Sequence, residues 1–453
     1  MDQKTELAAG SLSITESIIM GVSGTSPSYS AAATTAALIG AVGIYSPSSV
    51  IICGLIMLGI TVSFMFLNKL SPNAGASYVW IRMIFNQKLG FLAGWSLLVA
   101  TALFMVSGTI PAATATLALV KPEVIDDPIW VTCFAGGWLT FVSIIVLKGI
   151  RQTSVAQMIF TIIEVAIMLF IMVAALIAFL DQPIQELSWS LFNPFNTTLE
   201  TFTRGALIAL FFFWGWDVTM NLNEETKDPD SIPGKAAFWS MVINILLFLV
   251  FILCTLVALT DQEIQQSSTN VLLKIAEKIL PSPWANIALI SIILSTIGTI
   301  ETSMLQFTRT LFSKARDGVL HPRWGKVHKT WKTPWTATIV VWALGIGFLI
   351  VASHKPTVRA IMTTSIDVIS FQVAFYYSLC AIACAWHFRN VLKEDFIKSL
   401  LLIVWPIVSA LTLTLIAVYA AVYSFDSQTV LLGIGGILTG LIPLAMNRKA
   451  FAS

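Results

Sequence analysis

The sequence predicts an all-α polytopic membrane protein with twelve transmembrane helices, and three observations support this fold class. Of the 453 residues, 57% are hydrophobic and 11% are charged, with a mean hydropathy of +0.84, whereas soluble chains carry about 25% charged residues. Apolar segments long enough to cross a bilayer recur along the whole chain. Two of these segments are interrupted in the middle by glycine and polar residues.

The composition excludes several classes of protein. So few charges argue against a soluble enzyme, a disordered chain and a secreted disulfide scaffold. The net charge of +2 is too small to favour nucleic acid as a partner. The five cysteines all fall in apolar segments, which is typical of small core residues, and no Cys/His cluster has metal-ligand spacing. We therefore expect no metal site and no cofactor. The polar, acidic N-terminus also lacks the pattern of a signal peptide.

About 20 mostly apolar residues cross the ~30 Å hydrocarbon core as a helix. This length selects twelve spans, near residues 14–41, 47–68, 90–118, 129–147, 154–180, 199–223, 236–260, 284–312, 334–353, 358–387, 398–423 and 428–446. If the N-terminus is cytoplasmic, the inward-facing loops and termini hold 20 of the 26 Lys and Arg residues. That bias follows the positive-inside rule and places both termini in the cytoplasm, on the inner side of the cytoplasmic membrane.

Spans 1 and 6 are the interrupted ones. Their middles read GVSGTSP at residues 21–27 and WGWDVT at residues 214–219. Unwound backbone at membrane depth is tolerated only where it lines a cavity or is buried in protein. Paired interruptions five spans apart favour a secondary transporter with inverted repeats and a site near the midplane. The alternative is that the glycines only allow close helix packing.

Four carboxylates fall well inside spans: Glu164, Asp217, Glu301 and Asp367. A charge at such depth costs at least ~2.5 kcal/mol, so each carboxylate needs a partner, a proton or a function. Glu164 shares a helical stripe with Ser154, Gln157 and Thr161, and we expect it to load and release a proton; the alternative is a permanently protonated structural residue.

Asp217 follows the second interruption directly. We expect it to accept a substrate ammonium or a proton; the alternative is a helix N-cap. In span 8 the polar residues Ser291, Ser295, Thr299, Ser303 and Gln306 form one stripe, which we interpret as cavity lining. Glu301 projects nearly opposite to that stripe, which favours a structural role or a link to another helix. For Asp367 two roles are equally favoured: a position that lines the cavity, or a contact between helices.

Three segments resemble motifs of the amino acid–polyamine–organocation transporter superfamily. They are NLNEETKDPDSIP at 221–233, SPNAGASY at 71–78 followed by GFLAGW at 90–95, and RTLFSKARDGV at 309–319. The resemblance implies a single LeuT-like domain over 1–453: inverted five-helix repeats at 14–180 and 199–387, broken helices 1 and 6, and two additional helices at 398–446. It also implies alternating access for an amino acid or small amine, with Phe211 in the place of an aromatic gate.

The expected substrate site combines the two interruptions with the polar stripe of span 8. Its candidate residues are Ser23, Gly24, Thr25, Ser26, Phe211, Gly215, Asp217, Asn221 and Ser303, and the candidate proton-coupling residues are Glu164 and Asp217.

The leading interpretation is a proton-coupled symporter for an amino acid or amine. Sodium coupling through Thr299, Ser303 and span-1 carbonyls remains an alternative, as does exchange of one substrate for another. A transport-inactive sensor is less favoured because the chain has no long soluble segment, and no metalloprotease motif such as HEXXH occurs. The sequence leaves the identity of the substrate and the oligomeric state open.

Overall fold

A computed structural model describes residues 6–267 and 270–447, and every regular element within them is helical. The first ten helices are α1 Ile14–Gly24, α2 Pro27–Val42, α3 Ser46–Leu70, α4 Ser77–Ile84, α5 Gln87–Ser107, α6 Thr109–Val120, α7 Pro128–Leu147, α8 Ile150–Phe179, α9 Leu199–Phe211 and α10 Val218–Asn221. The other ten are α11 Ile232–Ala258, α12 Asp261–Ser267, α13 Val271–Ile279, α14 Ile287–Arg316, α15 Trp335–Ala352, α16 Val358–His387, α17 Phe396–Ser399, α18 Trp405–Tyr419, α19 Ser427–Leu438 and α20 Leu441–Met446.

Within the described residues, ten helical stretches are long and apolar enough to cross a membrane. The predicted all-helical polytopic class is therefore confirmed. One of the ten is the 57-residue stretch Ile14–Leu70, which contains α1, α2 and α3. Helix α9, with only 13 residues, falls below span length. The number of crossings depends on how these two regions are counted.

The first interruption separates α1 from α2. A reciprocal cap between Ser13 and Glu16 starts α1, which ends at Gly24. Ser26 then adopts a left-handed conformation with φ +53°, and Pro27, which has no N–H to lose, opens α2. The freed backbone is satisfied locally: the hydroxyl of Ser30 donates to the carbonyl of Thr25 at 2.6 Å. The interruption is thus shorter than the seven-residue segment that the sequence suggested, because the chain stays helical through Gly24.

The second interruption runs from the end of α9 to the start of α10. Gly215 lies in its middle with φ +114°, a conformation that side-chain-bearing residues rarely adopt. The chain resumes a short helical turn at Val218. Both predicted interruptions are therefore present as breaks in the helices.

The two ends of the described chain lie on the same face of the bundle, here called the N-terminal face. Just before α1, the Leu12 N–H donates to the carbonyl of Glu225 at 3.0 Å, in the loop after α10. Beyond α20, the Asn447 amide donates to the carbonyl of Val319 at 3.3 Å, in the loop after α14. The loop after α10 therefore contacts the start of the described chain, and the loop after α14 contacts its end.

Helices α12 and α13 cover the opposite face, because the 27-residue α11 leads away from the N-terminal face by ~40 Å at 1.5 Å per residue. Glu263 on α12 accepts a hydrogen bond from Lys278 on α13 at 2.8 Å and one from the backbone N–H of Thr260. These donors, with Lys278 the strongest, lower the pKa of Glu263 to about 2. The pair fixes the α12–α13 hairpin across this face.

Two details of the sequence interpretation need correction. Helix α14 continues to Arg316 instead of ending near residue 312, so Arg309 and Lys314 lie inside a helix and are fully buried. Cys133 is exposed on α7 rather than packed in the core, whereas Cys53, Cys254, Cys380 and Cys384 are buried as expected. Exposure of Cys133 is consistent with a lipid-facing surface, because the cysteine side chain is small and apolar.

Candidate substrate and coupling site

The two helix breaks meet backbone to backbone. A methyl group added at Gly24 would overlap the carbonyl of Gly215, and one added at Gly215 would overlap the carbonyl of Gly24. Only glycine allows two backbones to come this close, which is the role small residues play in membrane bundles. The structure thus brings together two candidate site residues that lie far apart along the chain.

The polar stripe of α14 packs directly on the first break. The Thr299 hydroxyl donates to the carbonyl of Ser23 at 2.7 Å. One turn away, the Ser295 hydroxyl lies 3.1 Å from that of Ser26 and accepts the N–H of Tyr29 at 3.3 Å. These side chains give the unwound backbone the partners that lipid would not provide. The stripe therefore supports the break as well as facing the interior.

Glu164 lies beside this stripe and is fully buried. Its main-chain carbonyl accepts a hydrogen bond from the Ser291 hydroxyl at 2.9 Å, and the Ser28 hydroxyl lies 2.7 Å from that of Ser291. Neither carboxyl oxygen makes a hydrogen bond of normal geometry, although the Ser295 hydroxyl is close enough to interact. A buried carboxyl in this setting favours its neutral form unless a cation approaches.

Gln157, one stripe position before Thr161 on α8, connects the first break to Glu301. Its amide lies between the Ser23 hydroxyl and the Glu301 carboxyl. With the amide nitrogen toward α14, it donates to Glu301 Oε1 at 3.1 Å and to the carbonyl of Gly298 at 3.2 Å, while its oxygen accepts from Ser23. Glu301 is thus tied to another helix, which is one of the roles the sequence suggested for it.

Asp217 is buried with 2% exposure, and its carboxylate accepts two tyrosine hydroxyls from α16. Tyr376 donates to Oδ2 at 2.9 Å and Tyr377 donates to Oδ1 at 3.0 Å. The Trp214 indole N–H donates in turn to the Tyr376 hydroxyl at 3.0 Å. Asp217 stands at the N-cap position of α10, as the helix-cap alternative predicted, but its side chain makes no capping bond.

Two cavities lie on the side of the breaks away from the N-terminal face. The smaller one, with a volume of about 10 Å³, is lined by Gly24, Thr25, Ser26, Tyr29, Ser30, Phe104, Trp214 and Thr299. It has room for roughly one water molecule. The larger one, about 690 Å³, reaches α12 and α13 and includes Tyr29, Thr34, Gln265, Asn270 and Asp367 in its lining. Tyr29 belongs to both cavities and stands between them.

The remaining candidate residues occupy different places. Asn221 lies toward the N-terminal face, where its amide donates to the carbonyl of Ala74 at 2.9 Å and to Thr310 at 3.1 Å. Ser303 is buried one turn beyond Thr299 on α14. Phe211 ends α9, and its side chain lies outside the described residues. The structure therefore gathers Ser23, Gly24, Thr25, Ser26 and Gly215 with Asp217 near the break contact, and places Asn221 apart.

The three segments that resemble transporter motifs converge on the N-terminal face. Glu225 and Arg309 form a two-bonded ion pair with both distances 2.9 Å, and both side chains are fully buried. Glu224 pairs with Arg316 at 2.7 and 2.8 Å, and Arg82 with Asp317 at 2.5 Å, both partly exposed. These three pairs, here called the closing network, join the ends of α4, α10 and α14.

Sequence reasoning missed Tyr376, Tyr377 and the Glu225–Arg309 pair. A signal for the ion pairs was present in the sequence. Arg309 and Arg316 are seven residues apart, which puts both on one helix face, and the adjacent Glu224 and Glu225 offer one carboxylate to each. For the tyrosines no local signal exists, since Tyr376 and Tyr377 sit in an apolar helix about 160 positions from Asp217.

Comparison with known proteins supplies the family. A family model described as amino acid permease matches residues 11–440. The low-affinity putrescine importer PlaP of Escherichia coli K12 is 25% identical over 395 residues, which covers 84% of this chain and 81% of that protein. The human large neutral amino acids transporter small subunit 2 is 24% identical over 384 residues, covering 80% and 66%. The branched-chain amino acid permease BcaP of Lactococcus lactis is 24% identical over 328 residues, covering 64% and 65%. The chain, a multi-pass membrane transporter and not an enzyme, belongs to the amino acid permease family.

Proposed function

We propose that this permease is a proton-coupled symporter that moves an amino acid or a small amine across the cytoplasmic membrane by alternating access. One observation carries the proposal: two broken helices touch at Gly24 and Gly215, next to a buried carboxylate, Asp217. Broken helices that meet near the midplane present free backbone groups to a substrate. The names of the relatives, a putrescine importer and amino acid permeases, agree with this substrate class.

The proposed architecture has twelve crossings, with both termini in the cytoplasm. Stretch 14–70 supplies two crossings, since 57 residues are far more than the ~20 needed for one, and α9 with α10 supplies a broken one. Residues 14–180 and 199–387 form the inverted repeats, each opening with a broken helix, and 398–446 form the two additional helices. The N-terminal face, which carries the closing network, is then the cytoplasmic side, and the large cavity opens to the outside.

Asp217 is the proposed contact for a substrate ammonium. It is next to the break, and no Lys or Arg pairs with it among the described residues. The backbone around Ser23, Gly24, Thr25 and Ser26 is the proposed contact for a substrate carboxylate, if one is present. Phe211, Gly215 and Ser303 complete the proposed site, whereas the amide of Asn221 is engaged at the closed face.

Glu164 is the proposed carrier of the coupling proton. It is buried beside the first break and shares Ser291 and Ser295 with that break, and no cationic side chain among the described residues pairs with it. A carboxyl in such a place can keep its proton while it is buried and release the proton when the site opens to water. Sodium held by Thr299, Ser303 and span-1 carbonyls is the second candidate for coupling, because the Thr299 hydroxyl already lies against the carbonyl of Ser23.

Thermal unfolding of the purified protein with putrescine, L-leucine and other amino acids and amines tests the substrate class. A ligand at 100 times its dissociation constant adds ~2.7 kcal/mol to the free energy of unfolding, so we expect a clear rise in melting temperature with one subset of the panel. Uptake of that compound into sealed vesicles then separates a transporter from a transport-inactive sensor. No stabilisation by any amino acid or amine would contradict the proposal.

Replacement of Glu164 tests the coupling. We expect Glu164→Gln to bind substrate but to lose the dependence of uptake on an inward pH gradient, since the amide cannot exchange a proton. Counterflow in vesicles without a gradient should persist. Glu277→Gln, which changes an exposed carboxylate on α13, serves as the control. Unchanged gradient-driven uptake in Glu164→Gln would reject this role, and uptake that follows sodium instead would favour the second candidate.

A further inference from the structure

Glu301 is a further buried carboxyl, besides Glu164 and Asp217, and the proposed function does not use it. It is fully buried on α14. Its Oε1 faces the amide of Gln157, while Oε2 has no hydrogen-bond partner in the part of the chain that the structure describes. A buried carboxylate with one bond and no cation is strongly destabilised relative to its protonated form. Its setting thus favours a bound proton.

The amide of Gln157 has two orientations, and each suits a different state of Glu301. If Glu301 is ionised it can only accept, so the amide must present its nitrogen to Glu301 and its oxygen to the Ser23 hydroxyl. If Glu301 carries a proton on Oε1, it can donate to the amide oxygen. The nitrogen then faces Ser23, whose hydroxyl changes from donor to acceptor.

We propose that Glu301 is a proton-binding site whose occupancy is transmitted through the amide of Gln157 to Ser23 at the end of α1. Three groups on three helices form this relay: Glu301 on α14, Gln157 on α8 and Ser23 on α1. Ser23 lies next to Gly24, the contact point of the two breaks. The relay adds a protonation site to the one proposed at Glu164. Its role in transport therefore rests on the proposed function.

The other ionisable groups on elements packed against α14 do not satisfy Glu301. Two carboxyls belong to the site already described, Glu164 on α8 and Asp217 before α10, and two weak acids are Tyr29 on α2 and Cys133 on α7. Those nearer the N-terminal face are Glu16, Lys88, Arg151 and Arg323, and those on α13 are Lys274, Glu277 and Lys278. On α14 itself, Arg309 and Arg316 pair with Glu225 and Glu224, and Lys314 donates to the carbonyl of Phe91. Among the described side chains, none forms an ion pair with Glu301.

Infrared difference spectroscopy of the purified, substrate-free protein tests the proton site directly. As the pH is raised, the wild type should lose a protonated-carboxyl band that Glu301→Gln lacks and the control Glu277→Gln retains. Gln157→Leu, which keeps the bulk but removes the amide, should shift the frequency of that band. A Glu301 band that is absent at every pH, or that persists at every pH, would overturn the proposal. If Glu301→Gln fails to fold, an unshifted spectrum in Gln157→Leu overturns it equally.

Substrate affinity measured against pH tests the transmission. With putrescine or L-leucine as the probe, we expect the dissociation constant of the wild type to change about fivefold through the titration, equivalent to one hydrogen bond. Glu301→Gln and Gln157→Leu should each remove that change, although Glu301 is intact in the second variant. An unaltered pH profile in Gln157→Leu would overturn the relay. Because the infrared measurement needs no substrate, failure of the transport proposal would be recognised separately.

Discussion

At the scale of single residues, Asp217 is the point where a cationic substrate would be recognised. Its two oxygens already accept the hydroxyls of Tyr376 and Tyr377, which hold the carboxylate in place but leave its charge unpaired. A charge-assisted hydrogen bond to an ammonium contributes about 1.5–3 kcal/mol. We expect Asp217→Asn to lower the affinity for putrescine more than tenfold, which corresponds to over about 1.4 kcal/mol. Calorimetric titration of the purified variant measures this loss.

The matched control for this variant is Tyr377→Phe. It removes one hydrogen bond to Asp217 and leaves the charge, so the affinity for putrescine should be kept or rise. Equal losses in both variants would indicate that Asp217 only organises the tyrosine pair and does not contact the substrate.

The contact of Gly24 with Gly215 makes a second prediction at this scale. A methyl group at either position overlaps backbone, which cannot move aside like a side chain. Overpacking of a well-packed interior typically costs about 1–3 kcal/mol, and Gly215→Ala also forces a side chain to φ +114°. We expect both Gly24→Ala and Gly215→Ala to lower the melting temperature and abolish uptake.

Gly137→Ala in α7 and Gly347→Ala in α15 are the controls, since an added methyl meets nothing within 4 Å at either position. They should leave stability unchanged or slightly raised, because alanine favours the helix over glycine. Alanine at Gly24 with full stability and uptake would show that the two breaks separate in the dominant state of the protein.

Sequence reasoning identified the buried carboxylates but not their partners. Glu164 and Asp217 stand out because ionisable residues are rare in apolar spans. Tyr376 and Tyr377 do not stand out, since tyrosine is common in membrane helices and periodicity does not tell which helices are neighbours. The relation of Gln157 to Glu301 was hidden for the same reason: the helix that contains each residue was predicted, but the packing of α8 on α14 was not.

At the scale of elements, the closing network joins the ends of α4, α10 and α14. Removing one partner of a fully buried ion pair leaves an uncompensated charge, which costs about 3–5 kcal/mol. We therefore expect Glu225→Gln and Arg309→Met each to destabilise the protein by this amount in thermal or denaturant unfolding. The double variant should recover much of the loss, because both charges are then absent.

Glu224→Gln and Arg316→Gln are the comparison variants, because the Glu224–Arg316 pair lies at the same helix ends as the buried pair. That pair is partly exposed, and such pairs contribute about 0–1 kcal/mol. If the single variants at Glu225 and Glu224 lose similar stability, burial is not what sets the strength of the network.

The elements themselves were largely predictable, and their junctions were not. Hydropathy located every long helix, and glycine with polar residues located both breaks. The left-handed residue between α1 and α2 is Ser26 and not one of the glycines, although a residue that precedes a proline ordinarily adopts extended backbone. That choice depends on local backbone geometry, which composition does not resolve.

At the scale of the whole molecule, the two faces differ. The N-terminal face is bridged by ion pairs and by the backbone pairing of Leu12 with the loop after α10. The opposite side holds the 690 Å³ cavity, which Tyr29 separates from the break. From sequence, the charge bias predicted a distinction between faces, but which face is closed follows from side chains that are distant along the chain.

Alternating access predicts that residues at the two breaks become reachable in turn, while a residue of the large cavity is reachable already. In a background without cysteines, a cysteine at Thr34, which lines the large cavity, should react quickly with a membrane-impermeant thiol reagent. Cysteines at Thr25 and Thr219, with 2% and 1% exposure, should react slowly, and a transported substrate should change both rates. Adding Glu225→Gln, which weakens the closed face, should accelerate labelling at Thr219 more than at Thr34. If Thr25 and Thr219 stay inert in every condition while Thr34 reacts, the breaks do not share a water-accessible path and the alternating-access proposal is wrong.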